Sequence, residues 1–118
     1  MVKHGALRGF APAMAFGVAS FVSILLLFSS PLILGVVLLF LTAIFIAFSR
    51  SRLNLVIFLA GAIILGMGET IAVFVGGWSY SFATQGQVPY WIFVVWGDTV
   101  LFSYRFGVFL RDFLGLEK

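Results

Sequence analysis

Four apolar runs of about twenty residues fill most of this chain, and that is the length an α-helix needs to cross the hydrocarbon of a bilayer. They are Gly9 to Phe28, Pro31 to Phe48, Leu53 to about Gly77, and about Pro89 to Leu110. The separators are Ser-Ser-Pro at 29–31, Ser-Arg-Ser-Arg at 49–52 and the longer Ser-Tyr-Ser-Phe-Ala-Thr-Gln-Gly-Gln-Val at 79–88. No soluble domain fits between them, so residues 1–118 are expected to form a single membrane domain.

Helix is the spanning state these runs predict. In lipid every backbone N–H and C=O must be satisfied within the segment or in a closed barrel, and four segments are too few to close one. The runs are also continuous rather than alternating. The expected fold is therefore all-α, a bundle of four transmembrane helices. Pro31 suits a first helical turn behind Ser29 and Ser30, Pro89 does likewise, and Pro12 begins or kinks the first helix.

Composition closes off most alternatives. The chain is 63% hydrophobic and 9% charged, with mean hydropathy +1.21, where soluble domains carry about 25% charged residues. The seven Lys and Arg are scattered, not clustered, so they read as topology signals and not as a nucleic-acid surface. With no cysteine and one histidine, His4, the chain offers no disulfide, thiolate nucleophile, Cys-ligated metal or bis-histidine haem site. No metal or cofactor is expected. The apolar run after Lys3 and Arg8 is longer than a signal-peptide core and ends in Phe-Ser-Ser-Pro, so it is read as a retained first span.

Orientation follows from the charges. Lys3 and Arg8 precede span one, Arg50 and Arg52 join spans two and three, and Arg111 and Lys118 follow span four. The other two loops carry no charge. Four spans place the three basic regions on one side, and the positive-inside rule then puts both termini in the cytoplasm of a multi-pass cell-membrane protein. Trp78, Tyr80, Tyr90 and Trp91 flank the third loop and suit an interfacial aromatic belt. A sharper reading makes that loop a lid whose Thr84, Gln85 and Gln87 hydrogen-bond a polar ligand.

Three ionisable residues fall inside the spans: Glu69, Asp98 and Arg105. Such groups are functional candidates by default. Counted from the third loop, Glu69 lies about 12 Å and Asp98 about 13 Å deep, which predicts a carboxylate pair on adjacent helices. Trp91, Asp98, Arg105 and Asp112 recur every seven residues and share one helix face. Arg105 is expected to snorkel or to pair structurally. Gly66, Gly68, Ala72 and Gly76 should clear a path for a neighbouring helix, with Ala15 and Ala19 of span one as the facing stripe. Span two is expected to be the most lipid-exposed helix, or one that docks on a partner.

For function, no catalytic triad, phosphate loop or metal spacing is present. The segment Glu69 through Gly76, Trp78 and Tyr80 to Pro89 faintly resembles membrane carotenoid-modifying proteins over less than a third of the chain, and no residue role is carried over from it. Small multidrug exporters keep their acidic residue in the first span, which here has none, and the Thr-Phe-Ser-Thr-Phe run of fluoride channels is absent. The leading expectation is a non-catalytic integral or accessory subunit, partnered by the bilayer and by other membrane subunits or copies of itself. Two alternatives stand beside it: a homo-oligomeric proton- or cation-coupled transporter or channel using the intramembrane carboxylates, and an intramembrane enzyme acting on a lipid-like substrate.

Overall fold

The computed structural model describes residues 2–80 and 88–116, with side chains from residue 5 onward. Within them the chain is all-helical: α1 Val2–Leu27, α2 Pro31–Ser49, α3 Arg52–Phe74 and α4 Tyr90–Leu114. All four are long and apolar enough to cross a membrane. The start of α1, the α2–α3 turn and the end of α4 mark one end of the bundle, here the basic end. The α1–α2 turn and the α3–α4 connection mark the other, the neutral end.

Local chemistry sets the ends. Pro31 opens α2, where its missing N–H costs no helix bond. Pro89 stands one position outside α4, at its N-cap, and α1 runs through Pro12 without ending. The α2–α3 reversal needs only Arg50 and Ser51. Arg50 takes the left-handed conformation, and its N–H donates to Ile46 O at 3.1 Å. Ser51 Oγ then accepts from Asn54 N at 3.3 Å. The fully buried Asn54 amide donates to Ser49 Oγ at 2.9 Å, pinning the turn from inside.

Three span boundaries differ from the sequence expectation, the first because α1 already begins at Val2, ahead of Gly9. Helix α3 stops at Phe74 because Gly76 adopts φ +84°, and Gly77 N then donates back to Ala72 O at 2.8 Å. Glycine populates that left-handed region at no steric cost and closes a helix C-terminus there. Gly76 is therefore a helix terminator and not part of a packing face. Helix α4 continues past Leu110 to Leu114, where Gly115 closes it in the same way at φ +68°.

Helix α4 is the hub. It packs on α3, α1 and α2; α1 also packs on α2, α2 touches α3 more lightly, and among the described residues α1 does not meet α3. The core lies where α1, α2 and α4 converge, around Leu34, Leu38 and Leu101, which are fully buried. Phe16 stacks on Phe45 and Phe10 stacks on Phe109, each at 4.8 Å between centroids. Span two is thus not the outlying helix, since Leu34, Leu38, Thr42 and Phe45 are buried.

The small-residue contacts also fall elsewhere than expected. On α1 the buried positions are Phe10, Ala13, Phe16 and Ser20, whereas Ala15 is exposed and Ala19 half-buried. On α3, Gly66 is buried against the Phe93 ring, but Gly68 is exposed with open space around it. The close crossing is at Gly61 and Gly97. A Cβ on Gly97 would lie 2.7 Å from the Phe58 carbonyl oxygen, and one on Gly61 would lie 2.7 Å from Val100 Cβ. Backbone this close leaves no room for a methyl group. We expect Gly97→Ala to destabilise the protein by about 1–3 kcal/mol and Gly68→Ala to be neutral or slightly stabilising, as read by denaturant unfolding in mild detergent.

Candidate functional site

Two carboxylates sit in two different environments, and α4 separates them. Gly97 and its neighbours Phe93, Trp96 and Val100 face α3. A helix turns about 100° per residue, so Asp98 is swung away from α3 towards α1 and α2. Gly61 meets Trp96 O and Val100, which places Asp98 level with Gly61, eight residues from Glu69 along α3, or roughly 12 Å. The predicted Glu69–Asp98 pair is not formed, and each carboxylate has its own partners. Rotation keeps them apart, since Trp96 and not Asp98 is on the side of α4 that reaches Glu69, and the early end of α3 at Phe74 adds about three residues to the offset in depth.

Asp98 is 6% exposed. Its Oδ1 lies 2.7 Å from Thr42 Oγ1, and Thr42 Oγ1 lies 2.7 Å from Leu38 O. A hydroxyl has one proton and a backbone carbonyl only accepts. Both contacts become full hydrogen bonds when Thr42 donates to Leu38 and Asp98 donates to Thr42, which requires the carboxylic acid form. That form also suits a site that no cation faces among the described residues, since an unpaired buried charge is costly. The other oxygen, Oδ2, is buried without a partner.

Asp98 forms part of the wall of a cleft of about 450 Å³ between α1 and α4. Phe16, Gly17, Phe21, Val95 and Phe102 are among its apolar lining, with Ser20 as the second buried polar group. The cleft opens on the side of the bundle that a bilayer would cover. Sequence reasoning singled out Asp98 but not Ser20 or Thr42. The available signal was that each is a hydroxyl inside an otherwise apolar run.

Glu69 belongs to a different structure at the neutral end. Its Oε2 accepts from Trp78 Nε1 at 2.9 Å and from Tyr80 OH at 2.6 Å, and its Oε1 accepts from Trp96 Nε1 at 3.0 Å. Three neutral donors hold it, and no cation pairs with it among the described residues. This ties the start of the α3–α4 connection to both helices. Tyr90 makes a second tie, donating to Leu32 O at 2.8 Å with its ring over Gly35. Of the four expected belt residues, Trp78 and Tyr90 are exposed, Tyr80 is half-buried, and Trp91 packs inward with its Nε1 buried and unpartnered. Thr84, Gln85 and Gln87 lie outside the described residues.

Arg105 is half-buried at the basic end. It shares a small cavity of about 80 Å³ with Asp112, Gly5 and Gly9. Neither carboxylate of the expected cluster reaches it, and Asp112 pairs with Arg111 at 2.9 Å. That pair is solvent-exposed and contributes little.

The chain matches no family, no curated protein and no solved structure. What the fold defines is a class: a small all-helical protein whose four helices can each cross a membrane.

The Tyr80 hydroxyl is pushed up to about 12 from its ordinary 10.0, first by burial and then by its hydrogen bond to Glu69 and that carboxylate's charge. Its folded-state value is raised, so its contribution to stability is fully present below about pH 10 and is lost as pH climbs towards 12. Subtracting the tyrosinate titration of Tyr80→Phe from that of the intact protein should show one hydroxyl ionising late, and Glu69→Gln should return it towards 10.0. Burial alone should keep it above 10.0 in that variant, and an ionisation that Glu69→Gln leaves unmoved would refute the tie to the carboxylate.

Proposed function

We propose that this is an integral membrane protein which admits a lipid-like substrate sideways into the α1–α4 cleft, where Asp98 acts on it as an acid. The observation that carries this reading is the buried, unpartnered Asp98 Oδ2 in the wall of an otherwise apolar cleft. Thr42 supports the chemistry. Turning its hydroxyl from Leu38 O to Asp98 Oδ1 lets the acid proton stand on Oδ2, the oxygen with no protein partner among the described residues. A neutral acid in an apolar pocket can lend a proton to a substrate and take it back. The water-free surroundings keep that proton from leaking to solvent.

Deleting the gene should change the lipid or pigment profile of the source cells. The intact protein should restore the profile and Asp98→Asn should not, because an amide carries no acidic proton. An unchanged profile after deletion would sink the enzymatic reading.

A second reading, an accessory or self-associating subunit, is supported by small residues that this chain leaves uncovered. Gly68 has open space around it, and Ala15 and Ala19 line a second apolar groove of about 460 Å³ with Leu41, Phe45 and Phe48. Small residues on a lipid-facing surface let another helix approach closely. The carboxylate-based transporter finds less support, since Glu69 and Asp98 do not share a site.

In either reading we place both termini in the cytoplasm, because Arg8, Arg50, Arg52 and Arg111 gather at the basic end. A reporter fused after Lys118 should be active only on the cytoplasmic side, and cross-linking in mild detergent should give a species larger than one chain if association is the role.

A further inference from the structure

We propose that the cleft takes a lipid bearing a single hydroxyl group, and that Asp98 and Ser20 together bind that hydroxyl. This rests on reading the cleft as a site for a lipid-like substrate and adds what the substrate must carry.

Two residues of the cleft wall each carry a buried polar atom with no partner among the described residues, Asp98 Oδ2 and Ser20 Oγ. Their residues are 6% and 7% exposed. They come from different helices, yet the packing sets them level. Phe10 stacks on Phe109 and Gly17 meets the Phe102 ring, so seven residues up α1 match seven down α4. Three more residues bring Ser20 opposite Thr99, next to Asp98. Of the remaining polar groups of the lining, Thr99 Oγ1 donates to its own helix at Val95 O, and Ser103 is an exposed group about one turn further along α4.

The donor and acceptor pattern selects the ligand. In the resting arrangement both Thr42 contacts are satisfied, the Asp98 proton points to Thr42 and Oδ2 is a carbonyl-type acceptor; the proton moves to Oδ2 only when Thr42 turns, after the ligand is bound. The ligand group must therefore donate to Asp98. Ser20 has an O–H to donate, so the same ligand group should accept. A hydroxyl does both. A ketone or an ether has no proton to give, and a hydrocarbon leaves both protein atoms unsatisfied in an apolar site, at the usual cost of burying them. An ammonium would bring a charge that a neutral Asp98 does not balance. The rest of the ligand is apolar, because the rest of the wall is. Long-chain, isoprenoid and sterol-like alcohols share this chemistry.

The test uses the full chain in phospholipid nanodiscs with three photoreactive probes of equal length. These are a sixteen-carbon alcohol carrying a mid-chain diazirine, its methyl ether, and the corresponding alkane. Peptide mapping after illumination should find the alcohol on the stretches 14–24 and 95–103, about tenfold above the ether and the alkane, the preference that one well-formed hydrogen bond confers. Asp98→Leu and Ser20→Ala should each lower alcohol labelling about fivefold or more. Asp98→Asn should recover most of what Asp98→Leu loses, since an amide can donate to Thr42 and offer its carbonyl to the cleft. That recovery separates hydroxyl binding from the acid chemistry proposed above, which Asp98→Asn abolishes.

Equal labelling by all three probes would overturn the hydroxyl assignment and leave the lipid cleft standing. Alcohol labelling that survives both Asp98→Leu and Ser20→Ala would also overturn it. Absence of labelling by any probe in these stretches would remove the hydroxyl assignment and the substrate cleft together.

Discussion

The approach of α3 to α4 at Gly61 and Gly97 fixes the rotation of α4, and the placement of the polar groups follows from that rotation. With Gly97 turned to Phe58, Trp96 is on the side that reaches Glu69 and Asp98 is on the side that reaches Thr42 and the cleft. One small residue at a helix crossing thus assigns two carboxylates to two separate environments. Without water to satisfy them, polar side chains in such a helix must find partners in the protein or in a ligand. Most do: Thr42, Asn54 and Glu69 bond to neighbouring elements, while Ser23, Thr70 and Thr99 bond back to their own helix. The atoms left over in the α1–α4 cleft are Ser20 Oγ and Asp98 Oδ2.

The two carboxylates also show how environment divides the work of like groups. Glu69 has its oxygens occupied by three aromatic donors and acts as a tie for the connection at the neutral end. Asp98 has one oxygen engaged and one free, beside a space large enough for a molecule. A carboxyl with nothing left to bond is a structural part, and one with an unfilled position beside an apolar cavity is a candidate for chemistry.

Helix number and type were legible in the sequence because twenty-residue apolar runs have few other folded outcomes. The seven-residue recurrence of Trp91, Asp98, Arg105 and Asp112 was also informative, since Asp98 and Arg105 both face cavities shared with α1. Contacts between helices were not legible. Small residues occur on every helix, and the pattern alone does not tell Gly61 and Gly97, which pack, from Gly68, which lies open. Gly76 looked like a member of the small-residue series because nothing in the sequence shows that the helix has already ended there. The carboxylate pair failed through the same gap: depth can be counted along a sequence, but rotation about the helix axis depends on which face packs.

The hub position of α4 bears on how the molecule is put together. The helix on which the other three pack is the fourth in chain order. The hairpin of α1 and α2 can close as soon as both are made, through the stacked Phe16 and Phe45. Helix α3 has only light contact with what precedes it and lacks its main packing partner until α4 is made. Its lasting neighbours at Phe58, Gly61 and Gly66 are all on that later helix. Tertiary assembly therefore finishes only with the last helix, and a chain interrupted before Tyr90 would keep its α1–α2 hairpin but lose both the α3 crossing and the cleft.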